Sequence, residues 1–205
     1  MAKSKSYKIE VPELDYFSET FNFISNETLK TNLSISFQYI IFLIKVETGL
    51  QTTGAVEYSI FKNVIQYSAS IVEGVMHFGL ETAIKNKIVA EKSVMPKSES
   101  YGSKKLLHKI DNQTQILGVT RNIKFEKFKK NTQFKTICDA YRKSNLLDVT
   151  LIEEVNLLRE KRNKIHLAGL KQVENYYTKT DINKAFQIAN KIIEAVKEIT
   201  TNNNA

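Results

Sequence analysis

The segment Arg159-Glu160-Lys161-Arg162-Asn163-Lys164-Ile165-His166 gathers the side chains of this chain best suited to handling a phosphodiester. Guanidinium groups bind phosphate oxygens in bidentate fashion, and histidine titrates close enough to neutrality to accept and return a proton. Their placement adds to the point. At about 100° of rotation per helical residue, Leu151, Ile152, Val155, Leu158 and Ile165 share one arc of roughly 140°, the width of a core-facing stripe. Arg159, Arg162 and His166 fall inside the same arc, while Glu153, Glu154, Asn156, Glu160, Lys161, Asn163 and Lys164 furnish the polar face without them. Cations on an apolar side require a carboxylate, a partner chain or a bound anion, because an unpaired charge is costly to bury. A structural account stands beside this one. Cations in the last turns of a helix gain about 0.3–1 kcal/mol from its dipole, and Gly169 has the position of a residue just past a helix end.

If the anion is RNA, the chemistry is defined. RNA carries its own nucleophile, the 2′-hydroxyl, so cleavage needs a proton acceptor, a proton donor and positive charge on the developing phosphorane. His166 fits the proton transfers, and Arg159 or Arg162 the charge. One histidine does not easily make both transfers at once, and two copies of the helix brought together in a homodimer would supply two. Glu73 is the candidate to orient an arginine. Glu73 and His77 are four residues apart on another helix and have the spacing of a metal pair. No third ligand of matching spacing accompanies them, so an intrahelical polar pair is the expectation.

The formal charge of +8 is concentrated in one place. Residues 85–130 hold twelve lysines and arginines against four acids, a local excess of +8, leaving the remainder balanced. Such clustering is the footprint expected for a nucleic-acid backbone, and equally that of a solvated lysine-rich loop. Lys104, Lys105, Arg121 and Lys124 are the candidate nucleic-acid contacts. Tyr101, Phe125 and Phe128 are candidates for base stacking, although aromatics in a hairpin usually pack inward.

These residues must be positioned by helices. Residues 33–47 and 55–87 read as buried helices, the second central because it is apolar around much of its circumference. Residues 88–131, punctuated by Pro96, Gly102 and Gly118, read as a basic loop or small β-hairpin inserted into a helical body. Helical periodicity returns at Phe134, Ile137, Cys138 and Tyr141. The motif helix begins near Asp148 or Thr150, where Thr150-x-x-Glu153 has the form of a capping box, and Asp181 caps a last helix. The expectation is an all-α, antiparallel bundle of about five helices forming a single domain over residues 1–205, with the basic insertion at 88–131.

Several chemistries lack their motifs: there is no glycine-rich phosphate loop, paired cysteine, zinc-protease helix or nucleophile elbow. With only His77, His108 and His166, no metal or other cofactor is expected. His108, among lysines, reads as a solvated residue, and the single Cys138 as a core residue of a reducing, cytoplasmic protein. No signal peptide is read at the N-terminus. The apolar run Tyr39–Ile44 is far short of a membrane span, so it reads as core and no membrane association is expected.

Arg162-Asn163-Lys164-Ile165-His166, following Leu157-Leu158-Arg159-Glu160-Lys161, resembles the signature helix of the HEPN superfamily. The order of elements is similar too, with the motif on the penultimate long helix and a closing helix after it. The resemblance spans residues 33–200 in architecture and 157–167 in residues. It implies a compact helical bundle, often dimeric, and a metal-independent endoribonuclease of the kind found in toxin–antitoxin and phage-defence systems. The family separates Arg and His by four to six residues, with a polar residue directly after the Arg. Here three residues separate Arg162 from His166 and six separate Arg159 from it, while Asn163 is the polar residue that follows Arg162. The resemblance therefore implies Arg162, Asn163 and His166 as the catalytic set, with Arg159 as the alternative arginine. Two other readings remain: a non-catalytic helical module that dimerises and binds nucleic acid, and a subunit whose basic segment docks an acidic protein such as an antitoxin.

Overall fold

The computed structural model describes residues 9–111, 114–164 and 177–201. After an extended lead-in, α1 (Leu14–Ser18) and a 3-10 turn (Glu19–Phe21) lead to two long helices, α2 (Glu27–Leu50) and α3 (Gly54–Lys85). A short α4 (Glu91–Val94) precedes four strands, β1 (Lys97–Tyr101), β2 (Lys105–Lys109), β3 (Gln115–Gly118) and β4 (Arg121–Phe125). Then come α5 (Phe134–Ser144), α6 (Val149–Asn163) and α7 (Lys179–Thr201).

α3 is the central helix, as its all-round apolar surface requires. Fourteen of its residues are buried, including Val64, Ile65, Val72, Val75, Met76 and Leu80, and α2, α5, α6 and α7 pack around it. α5 faces it with Ile137, Cys138, Ala140 and Tyr141, and α6 with Ile152, Val155 and Leu158. One close approach is at Gly79, where a Cβ would lie 2.4 Å from Tyr141 Oη and 2.7 Å from Val196 Cγ1 of α7. The buried Tyr141 hydroxyl donates to the Met76 carbonyl at 2.9 Å, which satisfies its only polar atom. Cys138 is fully buried in this core, and burial pushes its thiol up to about 12. The thiol is therefore inert at neutral pH.

The body is helical as expected, and of the two alternatives for the inserted segment, loop or small β-hairpin, residues 97–125 take the β one. β1 pairs with β4 and β2 with β3, both antiparallel, and the Gly102 N–H bonds to the Thr120 carbonyl at 2.9 Å between them. The result is two short two-stranded sheets that follow one another along a hairpin-like ribbon. A bulge at Leu107 lets that side chain cross over Gly118, where a Cβ would meet Leu107 Cδ1 at 2.6 Å. Every strand residue except Gly118 is exposed, including Tyr101, Leu106, Leu107, Ile116, Leu117 and Ile123.

Helix boundaries differ in instructive ways. α2 begins six residues before the expected start because Asn26 caps it, its Oδ1 accepting from Leu29 N–H at 3.0 Å. α2 is long and apolar enough to cross a membrane by length and composition; it places Leu33, Ile40 and Leu43 in the core and leaves Ile35, Tyr39 and Phe42 exposed. At α6 the cap is Asp148, whose Oδ1 accepts from Thr150 and Leu151 N–H groups, so Thr150 is a first-turn residue and forms no capping box. The capping box lies instead at α7. Thr178 Oγ1 accepts from Asp181 N–H at 3.2 Å while the Asp181 carboxylate accepts from Thr178 N–H at 3.0 Å, making Thr178 the cap and Asp181 its reciprocal partner.

Asp181 also pairs with Lys161, tying α7 to α6. Partial burial opposes ionisation of Asp181, but Lys161 and the Thr178 N–H and hydroxyl outweigh it and hold the carboxyl below its ordinary value. A carboxylate depressed in the folded state contributes stability that is present above its unfolded pKa of about 3.9 and lost as pH falls through the lower folded value. Asp181→Asn should therefore lower the melting temperature at pH 7, and the gap from the parent protein should narrow as pH falls below the ordinary aspartate value. A gap that stays constant across this range would show that the ion pair is not its source.

Candidate functional site

Arg159 and Arg162 continue the buried stripe of α6 beyond Leu158 and emerge half-buried in a cleft of about 460 Å³. Three helices build it. α6 contributes Arg159, Arg162 and Asn163; α3 contributes Gln66 and Glu73, two turns apart on one face; α5 contributes Phe134 and Lys135 from its first turn, preceded by Gln133. The mixed stripe seen in the sequence thus has a physical resolution. Its apolar part fills the interface with α3 and α5, and its cationic part lines the opening at the end of that interface.

Arg162 forms an ion pair with Glu73, the two side chains being 33% and 29% exposed. The contact joins residues far apart in sequence and fixes the guanidinium from one side. Arg159, 17% exposed, is held differently: its Nε donates to Asn156 Oδ1 at 3.2 Å, and its paired carboxylate is the outward-facing Glu160 at 3.8 Å. Among the described residues the cleft therefore holds three cations, Arg159, Arg162 and Lys135, against one lining carboxylate, Glu73. The N-terminus of α5 adds to this imbalance. Gln133 makes no side-chain capping bond, so the positive end of the helix dipole is offered at the rim without a local acceptor from its cap residue. Such a site favours an anion with several oxygens.

Of the remaining sequence candidates, Asn163 is exposed at the last position of α6 and lines the cleft. His166 and Gly169 lie outside the described residues. Glu73 and His77 do not make the expected intrahelical pair, since Glu73 pairs with Arg162; among the described residues no group of three or more metal-binding side chains occurs. His77 instead presents Nε2–H to the Lys129 carbonyl at 3.1 Å and packs its ring 4.6 Å from that of Phe128. Phe128 is thereby taken up in packing, whereas Tyr101 and Phe125 are exposed.

The four candidate nucleic-acid contacts separate. Lys104 and Lys105 are exposed on the ribbon, and Arg121 is engaged in an ion pair with Glu99, whose carboxyl it holds below the ordinary value. Lys124 lies near the ribbon base and lines a second cavity, of about 670 Å³, with Phe125, Lys127, Lys129 and Gln133. Sequence reasoning passes over Lys127, Lys129, Lys130 and Lys135 as individuals. Their only signal is membership of the basic run or its neighbourhood, which does not distinguish a lysine near the cleft from one on the ribbon.

Comparison with protein-family models, with curated proteins and with solved structures finds no match to this chain.

Proposed function

We propose that the protein is a metal-independent endoribonuclease of HEPN type, acting as a toxin or phage-defence effector. The observation that carries the reading is the cationic cleft on α6, where Arg162 is set by Glu73 and Arg159 lies beside it, held by Asn156 and the outward-facing Glu160. In this reading the cleft receives the scissile phosphate. His166 takes the proton of the 2′-hydroxyl, the hydroxyl oxygen attacks phosphorus, and the bond to the 5′-oxygen of the next nucleotide breaks as that oxygen is protonated. The products are a 2′,3′-cyclic phosphate and a free 5′-hydroxyl. Arg162 neutralises charge building on the non-bridging oxygens, Asn163 supplies an amide at the same opening, and Glu73 acts as a positioning residue. A homodimer would bring a second His166 for the second proton transfer.

The test is cleavage of single-stranded RNA in excess chelator by the parent protein, Arg162→Ala and His166→Ala, with analysis of the product ends. Cyclic phosphate formed by the parent and lost in both variants is the expected result. Equal background cleavage by all three proteins, or none by any, would remove the proposal.

A second reading, a non-catalytic module for dimerisation and for nucleic-acid or protein partners, is favoured by the ribbon. A lone two-stranded ribbon is marginal in water, and this one exposes leucines and isoleucines among its lysines. An antitoxin or another acidic protein with an apolar surface would suit it. Association that survives nuclease treatment and disappears when residues 102–119 are replaced by a short turn would support that reading.

A further inference from the structure

The cleft is one of three adjoining cavities. The cavity of about 670 Å³ at the ribbon base shares Gln133 with the cleft. A third, of about 560 Å³, lined by Asn26, Asn32, Ser70, His77, Glu81 and Lys130, shares Glu73 with the cleft and Thr132 with the ribbon-base cavity. All three therefore meet around Thr132 and Gln133, at the N-terminus of α5. Across them Lys124, Lys127, Lys129, Lys130, Lys135, Arg159 and Arg162 stand against Glu73, Glu81 and Glu126, a clear cationic excess.

The segment carrying most of these lysines is anchored rather than loose. Glu126 N–H bonds to the Pro96 carbonyl at 2.9 Å, Phe128 N–H to Glu91 Oε1 at 2.7 Å, and Lys129 N–H to Thr132 Oγ1 at 2.9 Å. His77 fixes the Lys129 carbonyl from α3, and Phe128 packs inward against the His77 ring. The inward anchors leave Lys127, Lys129 and Lys130 exposed. Charge is thus displayed from a fixed backbone beside the cleft.

We infer that residues 124–135 form the RNA-binding track of this protein, guiding a single strand from the ribbon base past the N-terminus of α5 to the arginine cleft. The inference rests on the ribonuclease reading for the identity of the ligand and adds the route by which a strand reaches the cleft. Pockets of this size accept a nucleotide or two each, and only an unpaired strand can turn its bases into successive pockets while its phosphates follow the lysines. Phe125, 38% exposed in the first cavity, offers a face for base stacking. Lys104 and Lys105, on the ribbon beyond β1, are outside the track.

The test measures binding of a fluorescent 2′-O-methyl oligouridylate of about 12 nucleotides, whose blocked nucleophile keeps it intact, to the full chain at several salt concentrations. The variants are Lys127→Glu/Lys129→Glu/Lys130→Glu and, separately, Lys104→Glu/Lys105→Glu, each checked for parent-like helicity and melting temperature. The track variant should bind at least tenfold more weakly, with its salt slope reduced by about 0.7 for each phosphate it no longer neutralises. The ribbon variant should bind within about twofold of the parent, and duplex RNA should compete poorly. Parent-like binding by the track variant, loss of binding in the ribbon variant, equal competition by duplex, or no binding by the parent would overturn the inference. Because this probe is not cleaved, the track and the cleavage reaction stand or fall separately.

Discussion

Under the ribonuclease proposal, Arg162→Ala should lower the rate of RNA cleavage by about 10²- to 10³-fold, the size of effect seen when one preorganised donor to a developing oxyanion is removed. Two features of the cleft argue for an effect on the reaction rather than on folding. Arg162 and Glu73 are each about one-third exposed, so the carboxylate left behind by the substitution stays hydrated, and the stability change should be under about 1 kcal/mol. The cleft also holds Arg159 and Lys135, so in that proposal KM should move far less than kcat. Glu73→Gln offers the complementary experiment. It keeps the shape of the Arg162 partner but removes its charge, and a positioning role predicts a smaller loss that falls mainly on kcat. Arg159→Ala should be intermediate, since its guanidinium faces the same opening but is held by Asn156. If Arg159→Ala loses more activity than Arg162→Ala, the roles of the two arginines are exchanged. Circular dichroism melts run alongside the assays separate these outcomes from unfolding.

Gly79→Ala should destabilise the fold by about 2 kcal/mol, within the range for overpacking a well-filled core. At this chain length that corresponds to a loss of about 4–8 °C in melting temperature. The added methyl meets Tyr141 Oη at 2.4 Å and Val196 Cγ1 at 2.7 Å, and neither can retreat freely. Tyr141 is fully buried and committed to the Met76 carbonyl; Val196 is wedged into the α3–α7 interface. Relief therefore requires α5 or α7 to move away from α3. The double variant Gly79→Ala/Tyr141→Phe discriminates the cause. Removing the hydroxyl removes the closer clash, so the double variant should lose less than the two single losses added together. Strict additivity would show that the strain comes from Val196 alone.

Gly79 is invisible to periodicity, and the reason is general to this chain. A helical stripe marks which residues face a core, and α3 is legible from that alone, its buried positions recurring every three or four residues from Ile60 to Ala83. What crosses the interface is a tertiary fact. Glu73 stands out in the sequence as a partner for an arginine, but its pairing with Arg162 depends on the packing of α6 against α3, which no local pattern encodes. The basic run is legible as charge and illegible as geometry. Arg121 is consumed by Glu99, and Lys104 and Lys105 stand on the ribbon, while Lys127, Lys129 and Lys130 beside the cleft look no different in sequence. The ribbon is hard to separate from a loop because its strands have no core to face, so apolar and polar residues do not alternate cleanly along them.

Within the helical body, α3 is enclosed by four other helices, so its amide protons are released to solvent only when the whole body opens. The ribbon is held by its own cross-strand ladder with few buried side chains, and it should open and close without disturbing the helices. One chain should thus behave as two cooperative units of different strength. Amide exchange should resolve them as a fast class over residues 97–125 and a slow class centred on Val64 to Leu80. Whatever binds the ribbon would be read first as slower exchange in the weaker unit, with the stronger one left almost unchanged.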